Sequence, residues 1–143
     1  TLELKVNGLK LNKFFIFPIL LILSLMTTII LLMFPGDREY TKLNFVYYYL
    51  YTFDEVKKID FISDEYIIIY RPIDGNSNEF NDVIFFNIKP EKNIALIDNL
   101  SKNGFTSTYD DFYKEERWVK DNIHIKISID EKSRTTSLFV EKS

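Results

Sequence analysis

The sequence predicts an α+β fold: an N-terminal single transmembrane helix, then a small domain in which an antiparallel sheet of about five or six strands is packed by one or two helices. Three observations carry this expectation. Residues 14–34 form an apolar run without a charge. Residues 90–103 hold a helix start, an apolar stripe and a helix stop. Residues 123–130 alternate strictly between isoleucine and polar side chains.

Composition narrows the function classes. The chain has 143 residues and no cysteine, which removes disulfides, thiolate nucleophiles and Cys-ligated metals. Lys and Arg number 18 against 21 Asp and Glu, with one His. That balance lacks the basic excess of a nucleic-acid partner.

The run 14–34 reads FFIFPILLILSLMTTIILLMF, 21 residues of which 15 are Leu, Ile or Phe. As a helix it would rise roughly 31 Å, matching a hydrocarbon core of about 30 Å. Those 15 side chains favour insertion by about 5–9 kcal/mol, at about 0.3–0.6 kcal/mol each. Only Pro18, Ser24, Thr27 and Thr28 are not plainly apolar, and Pro35-Gly36 supplies two helix breakers beyond the run. A core helix would carry a polar stripe. A cleaved signal peptide would have a shorter run and a small-residue cleavage site. The expectation is therefore an uncleaved signal anchor, in contact with membrane lipid through residues 14–34. Lys5, Lys10 and Lys13 precede it, against Arg38 and Lys42 after it. Positive flanks stay inside, so residues 1–13 are expected as a cytoplasmic tail and 37–143 as a periplasmic or extracellular domain. One alanine and no glutamine, beside abundant Lys, Asn, Ile, Tyr and Phe, suggest AT-rich coding and a bacterial inner (plasma) membrane.

Residues 37–143 read as one domain, with no repeat or low-complexity tract. In 40–58, Leu43, Val46, Leu50 and Phe53 recur at spacings of three and four, so 37–58 is expected as a juxtamembrane helix. Two successive apolar runs follow, 65–71 and 82–88, expected as strands covered on both faces and joined by the turn-rich loop DGNSNEFN. Pro90-Glu91 then opens a helix, with Ile94, Ile97, Leu100 and Leu96 as its buried stripe. Lys102 and Gly104 close it. Asp121-Asn122 reads as a two-residue hairpin turn, pairing Trp118 with Ile125. A four-residue turn at 131–134 pairs Ile127 with Leu138 and Ile125 with Val140. Both registers put Trp118, Ile125, Ile127, Leu138 and Val140 on one face, beneath the 90–103 helix.

Catalytic and cofactor motifs are lacking. His124, the single histidine, lies on the polar face of its strand, with no G-x-S-x-G nucleophile to serve. Glu115-Glu116 are strand neighbours that point to opposite faces. Asp54-Glu55 and Asp110-Asp111 flank elements. Asp74, Asn76 and Asn78 mimic the start of a calcium loop, which then fails at Glu79 and Phe85. Asn99-Leu100-Ser101 is a glycosylation sequon inside the predicted helix. No glycine-rich phosphate loop is present. No catalytic residue, metal ligand or cofactor site is expected, and the chain is read as a non-enzyme.

What remains is surface. The hairpin registers leave Phe139 on the polar face of the sheet, beside Arg117, Val119, His124 and Lys126. An aromatic side chain next to arginine suits a protein-binding surface. These five are the first candidate partner-binding face. Tyr47, Tyr48 and Tyr51 are the second. The expected function is a membrane-anchored, non-enzymatic interaction module of a bacterial envelope, such as an immunity protein that binds a toxin at the inner membrane. The alternatives are an accessory subunit of an envelope assembly or secretion machine, and a carboxylate-dependent envelope hydrolase. The expected partner is a protein, toxin or machine subunit, and not a nucleic acid.

Overall fold

A computed structural model describes residues 5–6, 9–10, 13–33, 36–112 and 115–143. The chain divides into two compact units, Thr1–Pro35 and Gly36–Ser143.

In the first unit the two-residue strands β1 (Lys5–Val6) and β2 (Leu9–Lys10) pair antiparallel. They precede the 21-residue helix α1 (Lys13–Met33), which contains Pro18. The Thr27 and Thr28 hydroxyls donate back to the carbonyls of Leu23 and Ser24, at 2.7 and 2.9 Å, so both polar side chains are satisfied within the helix. The helix forms where the apolar run predicts it, but its reading as a membrane span is corrected. Among the described residues, no helix is long and apolar enough to cross a membrane. Phe34 and Pro35, the expected end of the span and its stop, lie outside the described residues. The signal anchor, the single-pass inner-membrane location, the cytoplasmic and periplasmic assignments and the lipid contact through 14–34 all rested on that span. The envelope-bound immunity-protein and machine-subunit readings took their location from it. None of these is carried forward.

The second unit is α+β, as its alternating and stripe patterns predict. Its seven-stranded antiparallel sheet exceeds the expected five or six. The strands are β3 (Arg38–Tyr40), β4 (Tyr66–Arg71), β5 (Glu79–Phe85), β6 (Thr106–Asp110), β7 (Glu115–Lys120), β8 (Ile123–Asp130) and β9 (Thr135–Lys142). Their spatial order is β3-β4-β5-β9-β8-β7-β6. Two meanders, β3 to β5 and β6 to β9, therefore meet where β5 pairs β9. The helices are α2 (Phe45–Tyr51), α3 (Asp54–Lys58) and α4 (Pro90–Lys102). Val56 of α3 and Leu96 and Leu100 of α4 are fully buried, in one cluster with Ile68, Val83, Phe85, Ile125, Leu138 and Val140 of the sheet. In the strand pattern of β5, Asn81, Val83 and Phe85 are buried while Phe80, Asp82 and Ile84 are half-buried. The sheet thus has one face against the helical layer and one open face, where 65–71 and 82–88 were expected to be covered on both.

Both predicted hairpin registers are observed: Trp118 faces Ile125, Ile125 faces Val140 and Ile127 faces Leu138. Asp121 takes a φ of +53° in the two-residue turn. Trp118 and Ile127 are half-buried at the margin of the core. Helix α4 ends as its sequence predicts. Gly104 has φ +86°, its amide donates to the Ser101 carbonyl at 3.0 Å, and the Phe105 amide donates to the Leu100 carbonyl at 3.1 Å. This double bond pattern satisfies the last carbonyls of the helix.

Two apolar stripes are corrected. In α4, Leu96 and Leu100 are buried while Ile94 and Ile97 are exposed. Asn93, one turn before Leu96, faces inward and accepts from the buried Thr136 hydroxyl at 2.7 Å. A polar residue on the buried side disguised that face. In 40–58 the single helix breaks into α2 and α3 at Thr52 and Phe53, and Leu43 is 94 % exposed. The break is held from the sheet. Asn81, fully buried on β5, accepts the Phe53 amide at 2.8 Å and donates to the Tyr51 carbonyl at 3.0 Å. Its side chain supplies the bonds that a continuous helix would have made internally.

Two singled-out motifs have structural roles. Asp74 and Ser77 close the β4–β5 turn with a 2.9 Å backbone bond. Asn99 of the sequon ties α4 to the segment after α3, donating to the Asp60 carboxylate at 2.7 Å and accepting the Asp60 amide at 3.2 Å.

Candidate interaction face

Directly opposed residues in an antiparallel pair share a face, so the strand pairing fixes the open side of the sheet. β9 contributes Ser137, Phe139 and Glu141 to it. β8 contributes His124, Lys126 and Ser128, opposite Glu141, Phe139 and Ser137. β7 adds Val119, opposite His124, with Arg117 and Glu115 two and four residues before it. β5 adds Phe80, Asp82 and Ile84. Ile67 and Ile69 of β4 lie opposite Ile84 and Asp82. The helices of this unit, α2, α3 and α4, pack on the opposite face, among the core side chains.

A concavity of about 440 Å³ opens on this face, lined by Glu115, Arg117, His124, Ile125, Lys126, Phe139 and Glu141. Its position follows from a short pairing. β8 pairs β9 along its whole length, whereas β7 pairs β8 only from Lys120–Ile123 to Trp118–Ile125. Beyond Trp118 the two strands are bridged by side chains. Glu115 accepts from Lys126 and from Arg117, the latter with Nε and Nη2 at 3.1 and 3.0 Å. Arg117 Nε also lies 3.6 Å from Asp110, which sits opposite Glu115 across the β6–β7 hairpin. The Lys126 hydrogen bond, opposed by partial desolvation and aided by Arg117, holds the Glu115 carboxyl below its ordinary range. A glutamate is ionised at neutral pH in any case, and these contacts extend that form to lower pH.

Four of the five residues in the first candidate face line this concavity: Arg117, His124, Lys126 and Phe139. Val119 shares the face but lies outside the lining. Phe139 is half-buried instead of exposed, because its ring meets Phe80 across the strand pair, with centroids 4.7 Å apart. Glu115 and Glu141 were missed, although period-two counting from Arg117 and Phe139 places both on the same face. Ile125 belongs to the core face and forms the floor where β7 and β8 part.

The residues of the second candidate face, Tyr47, Tyr48 and Tyr51, are half-buried and pack partly against the core. The Tyr47 ring lies edge-on to Tyr40 and Tyr51, at 6.1 and 5.8 Å, and the Tyr51 ring lies 4.9 Å from Tyr70. Burial, reinforced by Tyr66, raises the Tyr48 hydroxyl above its ordinary range. Burial pushes Tyr40 up to about 12 against a 3.1 Å hydrogen bond with Thr52. These tyrosines seat α2 on the sheet.

Among the described residues, no three acidic, histidine or cysteine side chains are grouped to hold a metal ion. No family model, curated protein or solved structure matches the chain.

Proposed function

We propose that the Gly36–Ser143 unit is a non-enzymatic protein-binding module that engages its partner through the open sheet face around Phe139. The observation that carries this reading is the pairing of an uncovered apolar surface with a polar-rimmed concavity. Ile67, Ile69, Ile84, Phe80 and Phe139 lie on adjacent strands, on the face turned away from α2, α3 and α4, and the concavity adjoins Phe139. Apolar anchors inside a charged rim are the composition of a binding surface. The chemistry of the acids supports the non-enzymatic half. Asp110 and Glu115 are neighbours, but Arg117 lies between them and Lys126 also binds Glu115. A carboxylate held ionised by two cations is a poor proton donor.

The test is site-directed photocrosslinking in cells, with the reactive group placed at Ser137 on the open face or at Ile94 on the outer side of α4. The expected result is one discrete protein adduct from Ser137 and none from Ile94. Phe139→Ala should weaken that partner's affinity by about 1–3 kcal/mol, with the amide spectrum still folded. Adducts from Ile94 alone, or unchanged affinity in folded Phe139→Ala, refute the assignment.

A further inference from the structure

We propose that the partner delivers a cationic side chain, arginine or lysine, onto the Phe139 ring between the carboxylates of Asp82 and Glu141. This rests on the binding-face reading above and supplies its recognition chemistry. Asp82 lies directly opposite Phe139, and Phe80 directly opposite Glu141. Such opposed residues stand about 4.5–5.5 Å apart at Cβ on one face. Four neighbouring positions therefore alternate ring, carboxylate, ring, carboxylate. An aromatic face attracts a cation through its quadrupole, and flanking carboxylates add charge to the same spot.

The cations of this face are already engaged. Arg117 and Lys126 bind Glu115, and Arg71 pairs with Asp37 at 3.1 Å. Among the described residues, Asp82 accepts from the hydroxyl of Ser137, and Glu141 from the side-chain amide of Asn78 at 3.0 Å. Among the described residues, no cation lies within ion-pair distance of either. Among the described residues, the charge left without an ion pair beside Phe139 is negative. The chain itself demonstrates the first half of the recognition, because the Arg71 guanidinium lies 5.1 Å over the Phe80 ring. Phe139, in contact with that ring and flanked by the two uncompensated carboxylates, is the corresponding seat for a cation from outside. Lys126, opposite Phe139 on β8, has its ammonium drawn to Glu115.

The test titrates the full chain with three blocked ten-residue peptides, alternating Leu with Arg, with Ser or with Glu, and follows the backbone amide resonances. The Arg peptide should shift the amides of Asp82, Phe139 and Glu141 and bind at least tenfold more tightly than the Ser peptide. Asp82→Asn combined with Glu141→Gln should abolish that preference. If the double variant does not fold, Phe139→Leu keeps an apolar side chain without a ring and should cut the preference at least threefold. Equal binding of the Arg and Ser peptides at Phe139, or tighter binding of the Glu peptide there, overturns the cation and leaves the binding face intact. Arg-peptide shifts confined to other surfaces also overturn it. If no peptide shifts the open-face amides, the cation and the binding face fall together.

Discussion

Asn81→Ala tests how the helical layer is fixed to the sheet. The wild-type amide is fully buried and serves two backbone groups of the α2–α3 junction, the Phe53 N–H at 2.8 Å and the Tyr51 carbonyl at 3.0 Å. Alanine removes both bonds and leaves the Phe53 N–H without this acceptor. A buried donor that loses its partner costs about 1–3 kcal/mol, and a lost hydrogen bond about 0.5–1.5 kcal/mol. The expected destabilisation is therefore about 2–4 kcal/mol, a large share of the roughly 5–15 kcal/mol that stabilises a typical domain. Urea unfolding followed by Trp118 fluorescence measures it. With a slope of about 1–2 kcal/mol per molar, the midpoint should fall by roughly 1–4 M. Asn81→Asp supplies a second arm with a sign. The ionised carboxylate still accepts the Phe53 N–H but faces the Tyr51 carbonyl without a proton to donate. Burial raises its folded-state pKa above the unfolded value of about 3.9. The folded form then binds more protons between those two values, so the variant should lose stability as pH rises through that window and regain it in acid. A loss below about 0.5 kcal/mol in Asn81→Ala would mean that water serves the junction equally well, and the account of the broken helix would fail.

Leu138→Ala, at a fully buried position between β5 and β8, should cost about 2–5 kcal/mol in thermal unfolding, whereas half-buried Ile127→Ala should cost less than half as much. Equal losses would show that the core does not centre on β9. Glu115, whose folded pKa is held below its ordinary value of 4.5 by Lys126 and Arg117, stabilises the fold above that value and loses its contribution as pH falls through the folded pKa. Glu115→Gln should therefore flatten the acid limb of the stability curve below about pH 4.5, and an unchanged limb would remove the Lys126–Glu115–Arg117 network from the account.

Legibility in the sequence depended on whether a segment's partners were close along the chain. The hairpins β7–β8 and β8–β9 were readable to the exact pair because the isoleucines of 123–129 allow one apolar face and short turns allow one register. Helix α4 was readable at both ends, since Pro90 and Gly104 act through local backbone geometry. The edge strand β6 was missed because TSTYD carries no apolar alternation, and its face toward Trp118 presents Ser107. β3 has only three residues. The break between α2 and α3 was invisible because its cause, Asn81, lies 28 positions away from Phe53. In the candidate face, Phe139 and its cationic neighbours followed from register alone. Asp82 did not, because no local rule shows that β5 pairs with β9.

The placement of β9 between β5 and β8 has a consequence for biosynthesis. Every other strand of the second unit leaves the ribosome before it, yet β9 alone joins the β3–β5 and β6–β8 halves. Until it emerges, the nascent chain holds two partial sheets with two unpaired inner edges, and such edges are templates for pairing with other chains. Closure then waits on contacts of long sequence separation, which form slowly. A chain stopped before Thr135 would carry β3 to β8 and still have no way to join them.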